Sequence, residues 1–176
     1  MSQYMNLIGK NARKASLEKI STKIKNKILK KYALLISKEK NLILSANAKD
    51  VNFALKKKLK NNLINRLILD QKKLNEIKNS IKKIIKLKDP IDKTLEKWSR
   101  PNGLKINRVS IPIGVIGVIY ESRPNVTSDV ASLCFKSGNA VILKGGSEAI
   151  NTNKILARLF RKALKENKVN ENFIQF

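Results

Sequence analysis

The segment Ile111 to Glu148, IPIGVIGVIYESRPNVTSDVASLCFKSGNAVILKGGSE, restricts the fold of this chain more than any other stretch. Val115, Ile116, Val118 and Ile119 form a near-continuous apolar run, the pattern of a strand covered on both faces. Val126 to Lys136 then carries Val126, Val130, Leu133 and Cys134 at helical spacing, and Ser137-Gly138-Asn139 ends that helix. Ala140 to Leu143 reads as a second buried strand, after which Lys144-Gly145-Gly146-Ser147-Glu148 turns the chain into another helix. This is a βαβα unit, the building block of a parallel sheet that meets ligands at the carboxyl ends of its strands. Glu121 to Asn125 and Lys144 to Glu148 occupy those ends.

The remainder of the chain is consistent with an α/β fold preceded by a helical region. Met1 to Lys88 reads as helix throughout, with no proline to interrupt it. Ile24, Ile28, Leu35 and Ile36 fall on one helix face, and Leu74, Ile77, Ile81, Ile84 and Ile85 do so again behind a cap at Asp70. Asp89-Pro90 stops that helix, because the residue before proline avoids the α region. Ser99 to Gly103 is a turn cluster, and Leu104 to Ile113 reads as extended chain. Asn151 to Lys165 repeats the helical spacing, and Phe173 to Phe176 opens a third strand at the end of the sequence, which predicts an incomplete polypeptide. Residues 1–98 are thus expected to form a helical segment and residues 99–176 the first half of a Rossmann-like domain.

Charge needs its own argument. Lysine and arginine number 38 against 13 acids, for a formal net charge of +25, and histidine is absent. A nucleic-acid footprint would draw on arginine forks and on aromatic rings able to stack on bases. Here the cations are nearly all lysines spread along helices, so solvated helix faces are the preferred reading and nucleic acid is not an expected partner. A lysine-rich nucleic-acid-binding module is kept as the alternative. The single cysteine excludes an internal disulfide and fits a reducing cytoplasm. Met1 to Lys10 lacks the apolar core of a signal peptide, and no apolar run reaches membrane-spanning length, so no membrane contact is expected. No metal is expected either, the commonest ligand being absent.

Two readings attach to each chemistry-bearing position. Lys144, Gly145, Gly146, Ser147 and Glu148 could receive an anion, with an ammonium, free amide N–H groups and a helix dipole acting together. A tight strand-to-helix turn with a solvated lysine explains the same residues. Arg123 could grip a phosphate or carboxylate in a fork and Asn125 could donate to an oxyanion. Equally, they could be an exposed arginine and a helix-capping asparagine beside Pro124, with Thr127 and Ser128 as further helix-start residues. Cys134 is read as a core residue, since it lies mid-helix between Leu133 and Phe135 with no histidine to activate it.

The text IPIGVIGVIYE, then RPNV, then SGNAVILKGGSEA resembles the γ-glutamyl phosphate reductases, also called glutamate-5-semialdehyde dehydrogenases, of the aldehyde dehydrogenase superfamily. SANAKDV at Ser45 to Val51 and Asp89-Pro90 extend the likeness toward the start. The resemblance implies an amino-terminal portion of such an enzyme. The reaction implied is NADPH-dependent reduction of γ-glutamyl phosphate to glutamate 5-semialdehyde and phosphate in proline biosynthesis. A cysteine thiolate is acylated before hydride transfer in that superfamily. It makes Lys144 and Ser147 candidates for the 2′-phosphate of NADP, while Glu148 could hold a bare ribose and so favour NAD. Asn125 becomes the nearest match to the oxyanion asparagine, and Arg123 a substrate contact. A homo-oligomer and pairing with glutamate 5-kinase are implied as well. The nucleophilic cysteine, a glycine-bearing cofactor loop and an oligomerisation hairpin are expected outside this sequence. The chain alone is therefore expected to be inactive, and a non-catalytic nucleotide-binding module is the further alternative.

Overall fold

In a computed structural model, residues 3–176 are described. The helical region is five helices rather than one continuous run: α1 (Gln3–Ser16), α2 (Thr22–Lys38), α3 (Lys40–Lys56), α4 (Asn61–Leu67) and α5 (Gln71–Lys86). The breaks follow local chemistry. Ser21 caps α2 by accepting from the Ile24 amide, and Asp70 caps α5 by accepting from the Lys73 amide at 2.7 Å. Of the predicted α2 face, Ile28, Leu35 and Ile36 are buried but Ile24 is exposed. The inward position in that first turn belongs to Lys25, whose ammonium lies 3.0 Å from the Asp89 carboxylate. Thr22 and the Ile91 amide also donate to Asp89, tying the chain beyond α5 to the start of α2.

A hairpin follows, β1 (Thr94–Ser99) and β2 (Lys105–Val109), antiparallel, with a register shift between Thr94 and Glu96. The turn at Ser99 to Gly103 and the extended chain after it match the sequence, but β1, and so the hairpin, carries no sequence signal. Its sequence, TLEKWS, lacks the clean alternation that marks a half-buried strand, and all six residues are exposed.

The predicted βαβα unit is present as β3 (Val115–Ile119), α6 (Pro124–Lys136), β4 (Ala140–Lys144) and α7 (Ile150–Glu166), with β5 (Ile174–Gln175) completing a parallel sheet ordered β3-β4-β5. Both crossovers run in the same sense, so right-handed connections set α6 and α7 on one face. Gly138, at φ 74°, provides the left-handed residue that ends α6, and the Asn139 side chain accepts from the Gly114 amide at 2.8 Å, fastening β4 to the start of β3.

Two expectations need correction. β3 is covered less fully than its apolar run implies: Val115 on one face and Ile116 and Val118 on the other pack against the core, but Ile119, at the strand's carboxyl end, is 86% exposed. The inward face of α6 is rotated from the one read from spacing. Cys134 is buried and Val130 packs against the core as read, but Leu133 is exposed, and Thr127, Ser128, Ala131 and Phe135 are buried. Thr127 and Ser128 can be buried because each hydroxyl has a partner, Tyr120 and Asn153 for the first and Tyr32 for the second.

One continuous core runs from Ala12 to Ile174 and joins the helical region to the sheet. At its centre Phe160 stacks on Tyr32 with centroids 4.4 Å apart and meets the Phe135 ring edge-on at 5.6 Å. Each such aromatic pair contributes about 1 kcal/mol beyond its burial. A satellite cluster of Ala54, Ile64, Leu67 and Ala149 holds α3 and α4 against the turn that follows β4.

Candidate functional site

The carboxyl ends of β3 and β4 carry two facing loops, Tyr120 to Arg123 and Gly145 to Glu148. The second does not pass straight into a helix: a 3-10 turn, Ser147–Ala149, precedes α7. Both glycines are there for close approach. A Cβ on Gly145 would lie 2.4 Å from Asn153 Nδ2 and 3.0 Å from the Tyr120 ring. A Cβ on Gly146 would lie 2.3 Å from Ser122 Oγ. The two loops are then joined by the Ser122 hydroxyl, which donates to the Glu148 carboxylate. That bond is the main reason the Glu148 carboxyl sits below its ordinary pKa, with the Ser147 hydroxyl and Lys144 adding smaller contributions. Glu148 is therefore a carboxylate at neutral pH.

Beneath the loops lies a buried polar chain. Tyr120 Oη and Thr127 Oγ1 are 2.7 Å apart, and the threonine hydroxyl reaches Asn153 Oδ1 at 2.9 Å. The Asn153 amide nitrogen, aimed at Gly145, is buried and has no hydrogen-bond partner among the described residues.

The start of α7 limits which amides an anion could meet. The amides expected to be open to a phosphate are occupied by Asp50 of α3, which is buried. Its carboxylate accepts from Asn151 N and Nδ2 at 3.1 and 2.8 Å, and from Thr152 N and Oγ1 at 2.8 and 2.6 Å. An acid from 101 residues upstream thus fills the helix terminus. Beside it, Asn47 accepts from Leu69 N and donates to Leu67 O, fixing the link between α4 and α5. Sequence reasoning passed over both, although Ile43, Asn47, Asp50 and Ala54 follow the spacing of an inward helix face, and polar residues at core spacing signal a buried network.

The candidate residues divide between two clefts. Gly146 and Glu148, with Glu121 and Ser122, form the polar end of a slot of about 250 Å³ whose walls are Ala54, Leu59, Leu63 and Leu67. Lys144 and Ser147 are exposed beside it and do not line it. Asn125 belongs to the other cleft, about 290 Å³, where its amide lies 3.5 Å from Asp129 Oδ2. Arg123 reaches neither lining: its guanidinium is 3.4 Å from Glu121, which Arg66 also holds at 3.0 Å. Cys134 is buried, and burial pushes its thiol pKa up, in agreement with a packing role. Among the described residues no group of three or more histidine, cysteine, aspartate or glutamate side chains gathers in a metal-ligating arrangement. No helix among them is long and apolar enough to cross a membrane.

Comparison with known proteins fits this architecture. No family model matches the chain. A gamma-glutamyl phosphate reductase of Persephonella marina is 42% identical over 175 residues, covering 98% of this chain and 39% of the relative. The crystal structure of gamma-glutamyl phosphate reductase from Thermotoga maritima superposes with a TM-score of 0.94 at 41% identity, covering 98% of this chain and 42% of that one. An acetylating aldehyde dehydrogenase from Geobacillus thermoglucosidasius shares the fold, with a TM-score of 0.65 at 18% identity over 98% of this chain and 36% of its own. By sequence and by fold, the chain is a relative of the gamma-glutamyl phosphate reductases that spans about two fifths of their length, on an architecture common to aldehyde dehydrogenases.

Proposed function

We propose that this chain is the nucleotide-binding part of a cytoplasmic, NADPH-dependent enzyme of proline biosynthesis that reduces γ-glutamyl phosphate to glutamate 5-semialdehyde and phosphate. The observation that carries the reading is the slot at the strand ends, apolar along Ala54, Leu59, Leu63 and Leu67 and polar at Ser122, Gly146 and Glu148. Those residues suit a nucleoside: the aliphatic walls match a flat base, and Ser122 and Glu148 offer polar partners at one end. A bound nicotinamide dinucleotide supplies the hydride that turns an acyl group into an aldehyde. Glu148 is the acceptor available to ribose hydroxyls, and exposed Lys144 is the cation available to a phosphate. Because Asp50 fills the α7 terminus, phosphate binding here depends on side chains rather than on helix amides.

Glu148 also favours a second reading. A carboxylate at the polar end of the slot accepts from a bare ribose but repels a 2′-phosphate, which points to NAD. Asn125 as oxyanion donor and Arg123 as substrate contact remain parts of the proposal. The chain's only cysteine is the buried Cys134, so acyl transfer to a thiolate calls for a cysteine from outside this sequence, and the chain alone is expected not to turn over. Self-association belongs to the same reading, supported by exposed Leu95, Trp98, Leu104 and Val109 on the hairpin, as does pairing with a glutamate 5-kinase.

Titration of the purified chain with NADPH and with NADH, followed by fluorescence, tests the assignment. Saturable NADPH binding that weakens about tenfold in Lys144→Ala supports it. In Glu148→Gln, the NADPH-to-NADH preference should rise. No binding of either nucleotide, or binding indifferent to both substitutions, would sink it.

A further inference from the structure

A cavity of about 280 Å³ lies at the opposite end of the sheet from the nucleotide slot and shares no lining residue with it. Pro112, Gly138 and Phe173, which line it, stand just before β3, β4 and β5. The α1–α2 link, with Leu17 and Ile20, closes one side, and Ile91 another. Its floor is the ring pair Phe135 and Phe173, both buried, set edge to face with centroids 5.5 Å apart. Such walls take an apolar body, and the volume restricts it to a ring or a short chain, since ligand sites start at roughly 300 Å³.

One lining group is charged and buried. Lys25, 3% exposed, donates to Asp89 at 3.0 and 3.3 Å, and among the described residues its ammonium meets no other acceptor. It has one N–H left to give. Asp89 is already shared, accepting also from the Thr22 hydroxyl at 2.7 Å and the Ile91 amide at 3.2 Å. A second buried cation stands near it. Lys136 donates to Asn26 Oδ1 at 2.6 Å and to the Ile85 carbonyl at 3.2 Å, both neutral acceptors. Burial pushes its pKa down, with Asp89 acting against that push and Lys25 adding to it. Two buried ammoniums thus share one carboxylate, and a surplus of buried charge calls for a counter-ion. Gly138 leaves Lys25 open to the cavity, since a Cβ there would stand 3.7 Å from Nζ and 3.1 Å from Pro112 Cγ. The charges at the rim, Glu18, Lys19 and Asp92, are exposed, so water and salt screen them far more than they screen Lys25.

We infer that this cavity binds a small carboxylate with an apolar body, its head on Lys25 Nζ and its body on Phe135 and Phe173 beneath Leu17 and Ile20. A singly charged head matches the single surplus charge and the one spare N–H, whereas a phosphate dianion brings more charge than Lys25 can offset. A cationic head is repelled at the same depth. The site lies at the amino ends of the strands and does not rest on the nucleotide assignment at their carboxyl ends.

The test uses the whole chain, ¹⁵N-labelled, titrated with three probes: 3-phenylpropanoate, 3-phenylpropan-1-ol, which keeps the body without the charge, and acetate, which keeps the head alone. 3-Phenylpropanoate should saturate, shift the amide signals of Ile20, Lys25 and Gly138, and bind at least about tenfold tighter than either of the others. Lys25→Met, which keeps an apolar stem, should remove the advantage over the alcohol. Leu17 is 68% exposed, so a charge can be placed there without disturbing the core. Leu17→Lys should bind the carboxylate at least about threefold tighter than Leu17→Asp, while the alcohol binds both alike. Equal binding of 3-phenylpropanoate and the alcohol would mean an apolar hollow in which Lys25 takes no part. Equal binding of 3-phenylpropanoate and acetate would mean a generic response of a basic chain to anions. Either result overturns the proposal, as do shifts confined to the nucleotide slot or no saturation up to about 20 mM. The probe comparison on the unaltered chain and the Leu17 pair remain decisive if Lys25→Met does not fold.

Discussion

Replacing Asp50 by alanine tests how the helical region holds the candidate site. The carboxylate is 1% exposed and accepts four hydrogen bonds, two from backbone amides and two from side chains of Asn151 and Thr152. No local side chain can replace it, because the residue at the α7 N-cap is Ala149. Asp50→Ala leaves the fully buried Thr152 amide without its acceptor, takes the acceptor from the Thr152 hydroxyl proton while its oxygen still accepts from Asn47, and opens the Asn151 amide. Buried donors left without partners cost about 1–3 kcal/mol each, and loss of a negative charge at a helix N-terminus adds about 0.3–1 kcal/mol. Relief of the carboxylate's own desolvation offsets part of this. The expected net loss is about 3–5 kcal/mol, in the range of a broken buried network. Urea denaturation followed by circular dichroism measures it, and Asp50→Asn, which keeps one acceptor oxygen, should lose about half as much. Since α7 begins directly after the Ser147–Ala149 turn, NADPH affinity should fall along with stability. A loss below about 1 kcal/mol for Asp50→Ala would refute the reasoning, because it would mean that water or a rearranged turn satisfies those donors.

Further predictions concern packing, pH and thiol chemistry. Gly146→Ala should destabilise the chain by about 1–3 kcal/mol through the collision with Ser122 Oγ, and Ser122→Ala should recover part of that loss in the double variant; additive losses would argue against the contact. Burial alone would raise the Asp89 carboxyl, but hydrogen bonds from Thr22, Lys25 and the Ile91 amide together hold it below the ordinary value. A folded-state pKa under the unfolded one stabilises above about pH 4 and is lost as pH falls further, so urea midpoints should drop toward pH 3 and drop less in Asp89→Asn. The buried Cys134 thiol, with its raised pKa, should react with a thiol reagent at least about tenfold more slowly in the native chain than in urea; equal rates would contradict its placement in the core.

Much of the architecture could be read from one dimension because it depends on local periodicity. The order β3, α6, β4, α7, β5 and the stop at Gly138 follow from apolar runs, helical spacing and glycine conformations that neighbouring residues set among themselves. So does the location of the ligand face, since parallel strands joined by crossovers must present their carboxyl ends together. What the sequence left open was which face of each element the rest of the chain would cover. The run Val115 to Ile119 looks buried along its whole length, yet Ile119, at the carboxyl end of β3, stands in solvent. Thr127 and Ser128 look like helix-start residues but are buried, because Tyr120, Asn153 and Tyr32 arrive from distant elements to satisfy their hydroxyls. The site followed the same division. Residues 144–148 were found from a glycine pair beside a strand, a signal contained within five positions. That Asp50 would close the α7 terminus, that Ser122 would bind Glu148, and that Asn125 and Glu148 would line different clefts depend on contacts 26 to 102 residues apart in the chain. Periodicity records how a segment meets its own neighbours; only tertiary packing decides which distant polar group satisfies a buried donor, and at this site those pairings set the electrostatics.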